Sequence, residues 1–418
     1  MKISVIGAGY VGLITGACFA KLGNAVIIID VDKEKVEAIG KKIPLFYEEH
    51  LDGLLNEVYI EASSDFDKIT DSEIIFICVG TPCNDEGIIL LEQMEKAVKE
   101  ISQALKSRKN KVEYCVVCVK STVPPGTTED LIIPILAGSG KKLGRDLGVC
   151  MSPEFLREGK AIYDFMNPAR IIVGEYDKRS GDTLINLYNS FSAPILRTNI
   201  KTAEMIKLAS NAFLATKISF INEVGNICKD LVIDVYEVAE GIGLDDRIGR
   251  QFLNAGIGFG GSCLPKDLRG LIAKSRQIGY KPQLLQEVLN LNSKQAQRFI
   301  ELLRKHVCLR GATVGVLGLA FKAGTDDVRD STAIPVINYL LEEGAKVKAY
   351  DPMAVKNFEK LFPQIEYTTK TEVLNSDAIL IVTEWEEFSE IDYNGKIVID
   401  GRRIKKAEGA RIYEGICW

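Results

Sequence analysis

Histidine is nearly absent: the 418 residues hold only two, His50 and His306. Two histidines cannot build a His-rich metal cage and do not readily assemble a His-based triad. Any proton chemistry therefore falls to Lys, Asp, Glu, Cys or water. Long apolar runs are missing as well, and none reaches the ~20 residues needed to cross a bilayer. The opening Met1-Lys2-Ile3-Ser4-Val5-Ile6-Gly7 runs into a strand and a glycine turn without signal-peptide architecture, so a cytoplasmic protein with no membrane partner is expected. Low-complexity tracts and charge blocks are also lacking. A balance of 52 basic against 57 acidic side chains, net −5, argues against a nucleic-acid partner but leaves room for a local basic pocket.

What is present is ordinary globular composition, 46% apolar and 26% charged, on a chain long enough for two or three domains of ~150 residues. Ten cysteines are dispersed, most of them inside apolar segments. Cys115 and Cys118 form a C-x-x-C, but in a strand-like run whose residues three apart face opposite ways, so no metal site is expected.

Short apolar runs alternating with helical patterns predict parallel strands at 2–6, 25–30, 74–79, 115–119, 148–151 and 171–173. From 202 to 229 the period becomes 3.6, with Ala203, Ile206, Ala209, Phe213, Ile221 and Val224 as an apolar stripe. A helix that long suggests a spine between domains or a contact between subunits. Another helical region covers 284–305. Strands resume at 313–317, 347–350, 378–382 and 397–399. The fold class expected is α/β: two Rossmann-like doubly wound domains joined by a long central helix and a helical middle segment.

Gly7-Ala8-Gly9-Tyr10-Val11-Gly12 matches G-x-G-x-x-G, follows a strand, opens a helix, and is succeeded by a second strand closing on Asp30. Gly7 makes the turn, Gly9 admits a pyrophosphate and Gly12 lets helix pack on strand. Asp30 accepts ribose hydroxyls and repels a 2′-phosphate, which favours NAD over NADP. Val79-Gly80-Thr81-Pro82 and Lys120-Ser121-Thr122 stand at strand ends, where their hydroxyls meet ligand or merely stabilise turns.

In Gly256-Ile257-Gly258-Phe259-Gly260-Gly261-Ser262-Cys263-Leu264-Pro265-Lys266-Asp267, four glycines in six residues force tight turns or close ligand approach. Pro265 suits the first turn of a new helix, placing Cys263 at its N-terminus beside Lys266; both favour the thiolate. A thiolate with an NAD fold suggests thiohemiacetal chemistry; a buried structural cysteine is the other reading. Lys207 and Asn211, spaced i, i+4, share a helix face and serve either a substrate or a solvated surface. Glu154 and Glu158 in Ser152-Pro153-Glu154-Phe155-Leu156-Arg157-Glu158-Gly159 are active-site carboxylates or plain capping acids.

These segments, together with Ser121-Thr122-Val123-Pro124-Pro125-Gly126-Thr127 and Gly318-Leu319-Ala320-Phe321-Lys322, occur in an order that resembles the UDP-glucose/GDP-mannose dehydrogenase family over essentially the whole chain. The resemblance implies an NAD-binding domain at 1–197, a central domain at 198–297 for dimerisation and the cysteine loop, and a nucleotide-sugar domain at 298–418. It implies two NAD-dependent oxidations of UDP-glucose, or of GDP-mannose or a UDP-hexosamine, by a homodimer or higher even oligomer, with no metal. Cys263 is then the nucleophile, Lys207, Asp267 and Asn211 hold water and the C6 oxygen, and Thr122 and Glu154 direct the hydrolytic water. The cofactor falls to Gly7, Gly9, Tyr10, Val11, Gly12, Asp30, Lys35, Thr81, Pro82, Ser121, Thr122, Glu158, Lys266 and Arg329. The sugar nucleotide falls to Glu154, Phe155, Leu156, Lys207, Asn211, Phe252, Asn254, Gly256, Gly258, Phe259, Gly260, Phe321, Lys322 and Arg402, with Arg247 supplied by a neighbouring subunit. Glu49-His50, where the family often has Pro-Gly, and Ile88–Leu91, commonly small and polar there, depart from its pattern. Two rivals remain: a single-step hydroxy-acid dehydrogenase, and an inactive NAD-binding scaffold or redox sensor.

Overall fold

The computed structural model describes residues 1–107 and 114–418 and divides into two compact units, 1–210 with 269–274, and 211–268 with 275–418. The first holds an eight-stranded sheet: β1 (Lys2–Ile6), β2 (Ala25–Ile29), β3 (Ile60–Ser63), β4 (Ile74–Ile77), β5 (Cys115–Val119), β6 (Leu147–Met151), β7 (Ile171–Glu175) and β8 (Ile195–Thr198). Their spatial order is β3-β2-β1-β4-β5-β6-β7-β8. All pairs are parallel except β6 with β7, an antiparallel step that breaks the expected all-parallel pattern. Apolar clusters cover both faces, and β5 divides between them: Cys118 and Val116 on one side, Cys115, Val117 and Val119 on the other. The C-x-x-C thus faces two ways, as the strand period requires. Chain connections reverse direction between β1 and β4, opening a crevice at their C-terminal ends.

The second unit carries a six-stranded parallel sheet: β9 (Thr313–Leu317), β10 (Lys346–Tyr350), β11 (Glu366–Tyr367), β12 (Ala378–Ile381), β13 (Ile397–Asp400) and β14 (Ile412–Gly415), in the order β11-β10-β9-β12-β13-β14. Both units therefore follow one winding scheme. Among the described residues no helix is long and apolar enough to cross a membrane.

The central helix spans Ile200–Leu231, its start capped by Asn199, whose Oδ1 accepts from Thr202 N at 2.8 Å. The predicted stripe holds at Ala203 and Ile221, which are buried, and at Ile206 and Val224, which are half-buried, but not at two positions. Ala209 and Phe213 point outward, while Glu204, Lys207, Asn211, Ser219 and Asn222 are buried. The 3.6-residue period located the helix, but polar groups with specific partners hold much of its inner face.

Candidate active site

The glycine turn after β1 has the shape a dinucleotide requires. Gly7 adopts φ +99°, and a Cβ there would lie 2.9 Å from the Cys78 carbonyl oxygen. A Cβ on Gly12 would stand 1.8 Å from the Gly7 oxygen, so helix and strand meet only without side chains. A Cβ on Gly9 would meet nothing within 4 Å, which leaves space for a pyrophosphate beside the amino end of the helix Tyr10–Lys21. Asp30, at the end of β2, is half-buried and accepts from Ala8 N at 2.6 Å and Asp32 N at 2.9 Å. Lys35 faces Asp32 at 3.9 Å. Ser121 donates to Val79 O at 2.7 Å and Thr81 to Thr122 O at 2.8 Å, so these hydroxyls tie the strand-end loops together. Pro82 is exposed and Val11 half-buried.

In the same unit, Lys207 reaches Glu154 across 3.0 Å with both side chains almost fully buried, which excludes the solvated-face reading of Lys207. Leu156 N donates to the other Glu154 oxygen at 2.6 Å, and the Lys207 ammonium stands 5.3 Å from the Phe155 ring centre. Sequence reasoning missed Glu48. Its buried carboxylate accepts from the Tyr10 hydroxyl, Gly159 N at 2.7 Å and Ala161 N at 2.6 Å, joining the dinucleotide turn to the loop that carries Glu158. Burial, then Glu48, holds the Tyr10 hydroxyl well above its ordinary range. The acids Glu48 and Glu49 after Tyr47 carried no spacing signal to mark one of them for this role.

The second unit contains the cysteine loop. Cys263 is exposed and immediately precedes the helix Leu264–Gln277, its carbonyl accepting from Asp267 N at 2.8 Å. Asp267 is 1% exposed; its oxygens accept from Asn211 Nδ2 at 2.6 Å and Lys266 Nζ at 2.7 Å. Asn211 is thus buried and engaged. Seven of the ten cysteines are buried, Cys83 is half-buried, and Cys308 is exposed as Cys263 is. Burial pushes the Cys18, Cys78, Cys150 and Cys417 thiols up to about 12, in keeping with packing roles.

Gly256–Gly261 is buried against neighbouring turns, whereas Phe252 and Asn254 are exposed. A Cβ on Gly260 would come within 2.1 Å of the Asp330 oxygen, and Gly261 N donates to Arg329 O at 3.0 Å. Three non-glycine residues with positive φ, Phe252 (64°), Asp330 (47°) and Arg403 (59°), lie in or beside these turns, where strain commonly marks function. Arg402 donates to Val382 O at 2.8 Å, pairs with Glu384 at 3.2 Å, and reaches Gly258 O at 3.4 Å. Lys322 lies 5.5 Å from the Phe321 ring centre; Arg329 and Arg247 are exposed and pair with Asp327 and Asp245. Asp400 accepts from Arg402, Arg403 and Ile404 N, and burial raises its carboxyl to about 6.

Asp351 at the end of β10 occupies the place that Asp30 holds after β2. It accepts from Leu319 N, Ala320 N, Met353 N, Ala354 N and the Trp385 indole, and is 2% exposed. A carboxylate so engaged has little left for a ribose, and the turn after β9, Gly318-Leu319-Ala320-Phe321-Lys322, likewise lacks the G-x-G-x-x-G of the first unit. Among the described residues no group of three His, Cys, Asp or Glu could hold a metal.

Comparison with known proteins matches the chain to three domains of the UDP-glucose/GDP-mannose dehydrogenase family: the NAD binding domain over 1–192, the central domain over 201–294 and the UDP binding domain over 315–407. It is 43% identical to a UDP-glucose 6-dehydrogenase of Haloferax volcanii, with 100% of each chain covered. A Bacillus subtilis UDP-glucose 6-dehydrogenase is 40% identical, covering 97% of this chain and 90% of its own. A UDP-glucose dehydrogenase structure from Pyrobaculum islandicum superposes with TM-score 0.96 at 39% identity, covering 100% of this chain and 98% of that one.

Proposed function

The chain belongs to the UDP-glucose/GDP-mannose dehydrogenase family, an NAD-dependent nucleotide-sugar dehydrogenase family, and from that premise we propose that it oxidises UDP-glucose at C6 to UDP-glucuronate through a covalent adduct on Cys263. The observation that carries this reading is Cys263, exposed at the amino end of its helix one turn before the buried Asp267–Asn211 pair. NAD, when bound, supplies the hydride acceptor for both oxidations.

Asp267 and Lys207, through water, take the C6 hydroxyl proton as C6 loses its first hydride. The Cys263 sulfur anion then adds to the aldehyde carbon, and the oxygen regains a proton, giving a thiohemiacetal. Asn211 and Lys207 hold the C6 oxygen as its proton leaves again and C6 loses a second hydride, forming the thioester. Glu154 and Thr122 direct a water onto that carbon; Glu154 takes its proton, the C–S bond breaks, and the thiolate leaves the carboxylic acid. The C–S bond keeps the aldehyde from escaping. In the second unit, Lys322 and Arg402 neutralise the diphosphate while residues 254–260 hold the sugar nucleotide.

The assembly proposed is a homodimer or higher even oligomer built on the central helix. Phe213, Phe220 and Ile227 are 64%, 50% and 56% exposed and stand seven residues apart, an apolar seam suited to a second copy of the same helix. Arg247, with its side chain 89% exposed, is then available to a neighbouring subunit.

The deciding experiment counts NADH against a panel of UDP- and GDP-sugars. Two NADH per UDP-glucose are expected; one per substrate would select a single-step dehydrogenase, and turnover of another sugar would reassign the substrate. Cys263→Ser is expected to lose at least 100-fold in turnover while still binding UDP-glucose.

A further inference from the structure

The glycine loop ahead of Cys263 is held by side-chain amides that the catalytic scheme leaves unused. Asn292, on the helix Gln283–Arg304, grips one residue twice: its Oδ1 accepts from Phe259 N at 2.8 Å and its Nδ2 donates to Phe259 O at 3.0 Å. Two residues share the same task at Gly256. Asn222 of the central helix accepts from Gly256 N at 2.8 Å, and Gln295 donates to Gly256 O at 3.0 Å. Asn222 is fully buried and Gln295 is 1% exposed, so each amide replaces water that the loop cannot reach. Gln295 is itself anchored by Asn226 Nδ2 at 2.9 Å.

The loop between the two gripped residues is tied to the arginine turn. Ile257 N donates to Gly401 O at 3.2 Å, and Arg402 reaches Gly258 O. A Cβ on Gly258 would stand 2.6 Å from Asn292 Oδ1, so a glycine is needed for the amide to approach this closely. Every residue from 256 to 259 is thereby bonded at its N–H, its C=O or both. A loop of glycines is otherwise entropically costly to order, and a pre-ordered one binds a ligand with less loss.

We propose that Asn292, with Asn222 and Gln295, is a positioning residue of the reaction: these amides fix the 256–259 backbone in the form that takes the UDP-sugar. The inference rests on the reading of residues 254–260 as the sugar-nucleotide loop. Since the amides grip backbone of the second unit, which carries the sugar-nucleotide loop, their effect is expected on the UDP-sugar and not on NAD.

Steady-state kinetics of the full-length enzyme tests this. Asn292→Ala is expected to raise KM for UDP-glucose about tenfold, with KM for NAD within twofold of wild type and kcat reduced less than threefold. A variant that is only less stable would lose active fraction while its remaining molecules kept the wild-type KM. Unchanged KM for UDP-glucose in folded Asn292→Ala overturns the proposal. Asn292→Asp, which keeps the acceptor for Phe259 N and sets an oxygen against Phe259 O, reads the same split if the alanine variant does not accumulate. Asn254→Ala is the control for the loop itself. If it leaves KM for UDP-glucose unchanged, the sugar-loop reading fails; if it raises that KM and Asn292→Ala does not, the amide clamp alone fails.

Discussion

Lys207 and Glu154 form an ion pair whose side chains are 4% and 7% exposed, and the two charges are worth more together than apart. Removing one partner strands the other in a poorly solvated site, at a cost of about 3–5 kcal/mol. Lys207→Met is therefore expected to lower unfolding free energy by that order, and Lys207→Met combined with Glu154→Gln to recover part of the loss; urea titration of the two variants checks it. Asp400 gives a pH signature of opposite character. Burial raises its carboxyl from 3.8 to about 6, so the folded state takes up a proton before the unfolded state does. Its ionisation costs stability as pH rises from about 4 to about 6, and that cost is constant above. Wild type is expected to gain on Asp400→Asn by roughly 1–3 kcal/mol as pH falls from 7 to 4. A stability difference flat across that range would refute the assignment.

At the scale of elements, the glycine turn and the central helix show how sequence logic succeeds and where it stops. The turn was legible because Gly7, Gly9 and Gly12 each answer a steric demand that spacing alone expresses. Gly12→Val is accordingly expected to abolish NAD binding, measurable by cofactor fluorescence, since its first carbon would collide with the Gly7 oxygen. The helix at 200–231 was legible in extent and only in part in orientation, since Ala203 and Ile221 of the expected stripe are buried but Ala209 and Phe213 are exposed. Its inner face carries Glu204, Lys207, Asn211 and Asn222, and a hydrophobic period cannot distinguish a buried polar group with a partner from one in water. Edge strands were missed for a related reason: β3 (Ile60–Ser63) and β8 (Ile195–Thr198) are only partly buried and lack a continuous apolar run. The helix ends with Val232 at φ 57°, a position where glycine is preferred and a β-branched residue is strained. Val232→Gly is expected to raise stability on the order of 1 kcal/mol, read as an increase in Tm.

For the whole molecule, two sheets of the same winding serve different ligands because corresponding carboxylates are differently engaged. Asp30 accepts two backbone bonds and stays half-buried, whereas Asp351 accepts five bonds in the interior. The sequence showed the missing fingerprint at 318–322 but could not show that Asp351 is bonded to the turn itself, since that depends on strand order. Assembly is tested on the exposed seam: Phe220→Asp is expected to shift the oligomer toward monomer in light scattering, and an unchanged mass would rule out this face. The distribution of thiols has a practical corollary. Seven sit in the interior and one is half-covered, which leaves Cys263 and Cys308 as the sulfurs presented to reagents. Replacing Cys308 by serine leaves Cys263 as the one exposed thiol, so a single stoichiometric alkylation, and its slowing by UDP-glucose, reads out whether that sulfur lies within reach of the substrate.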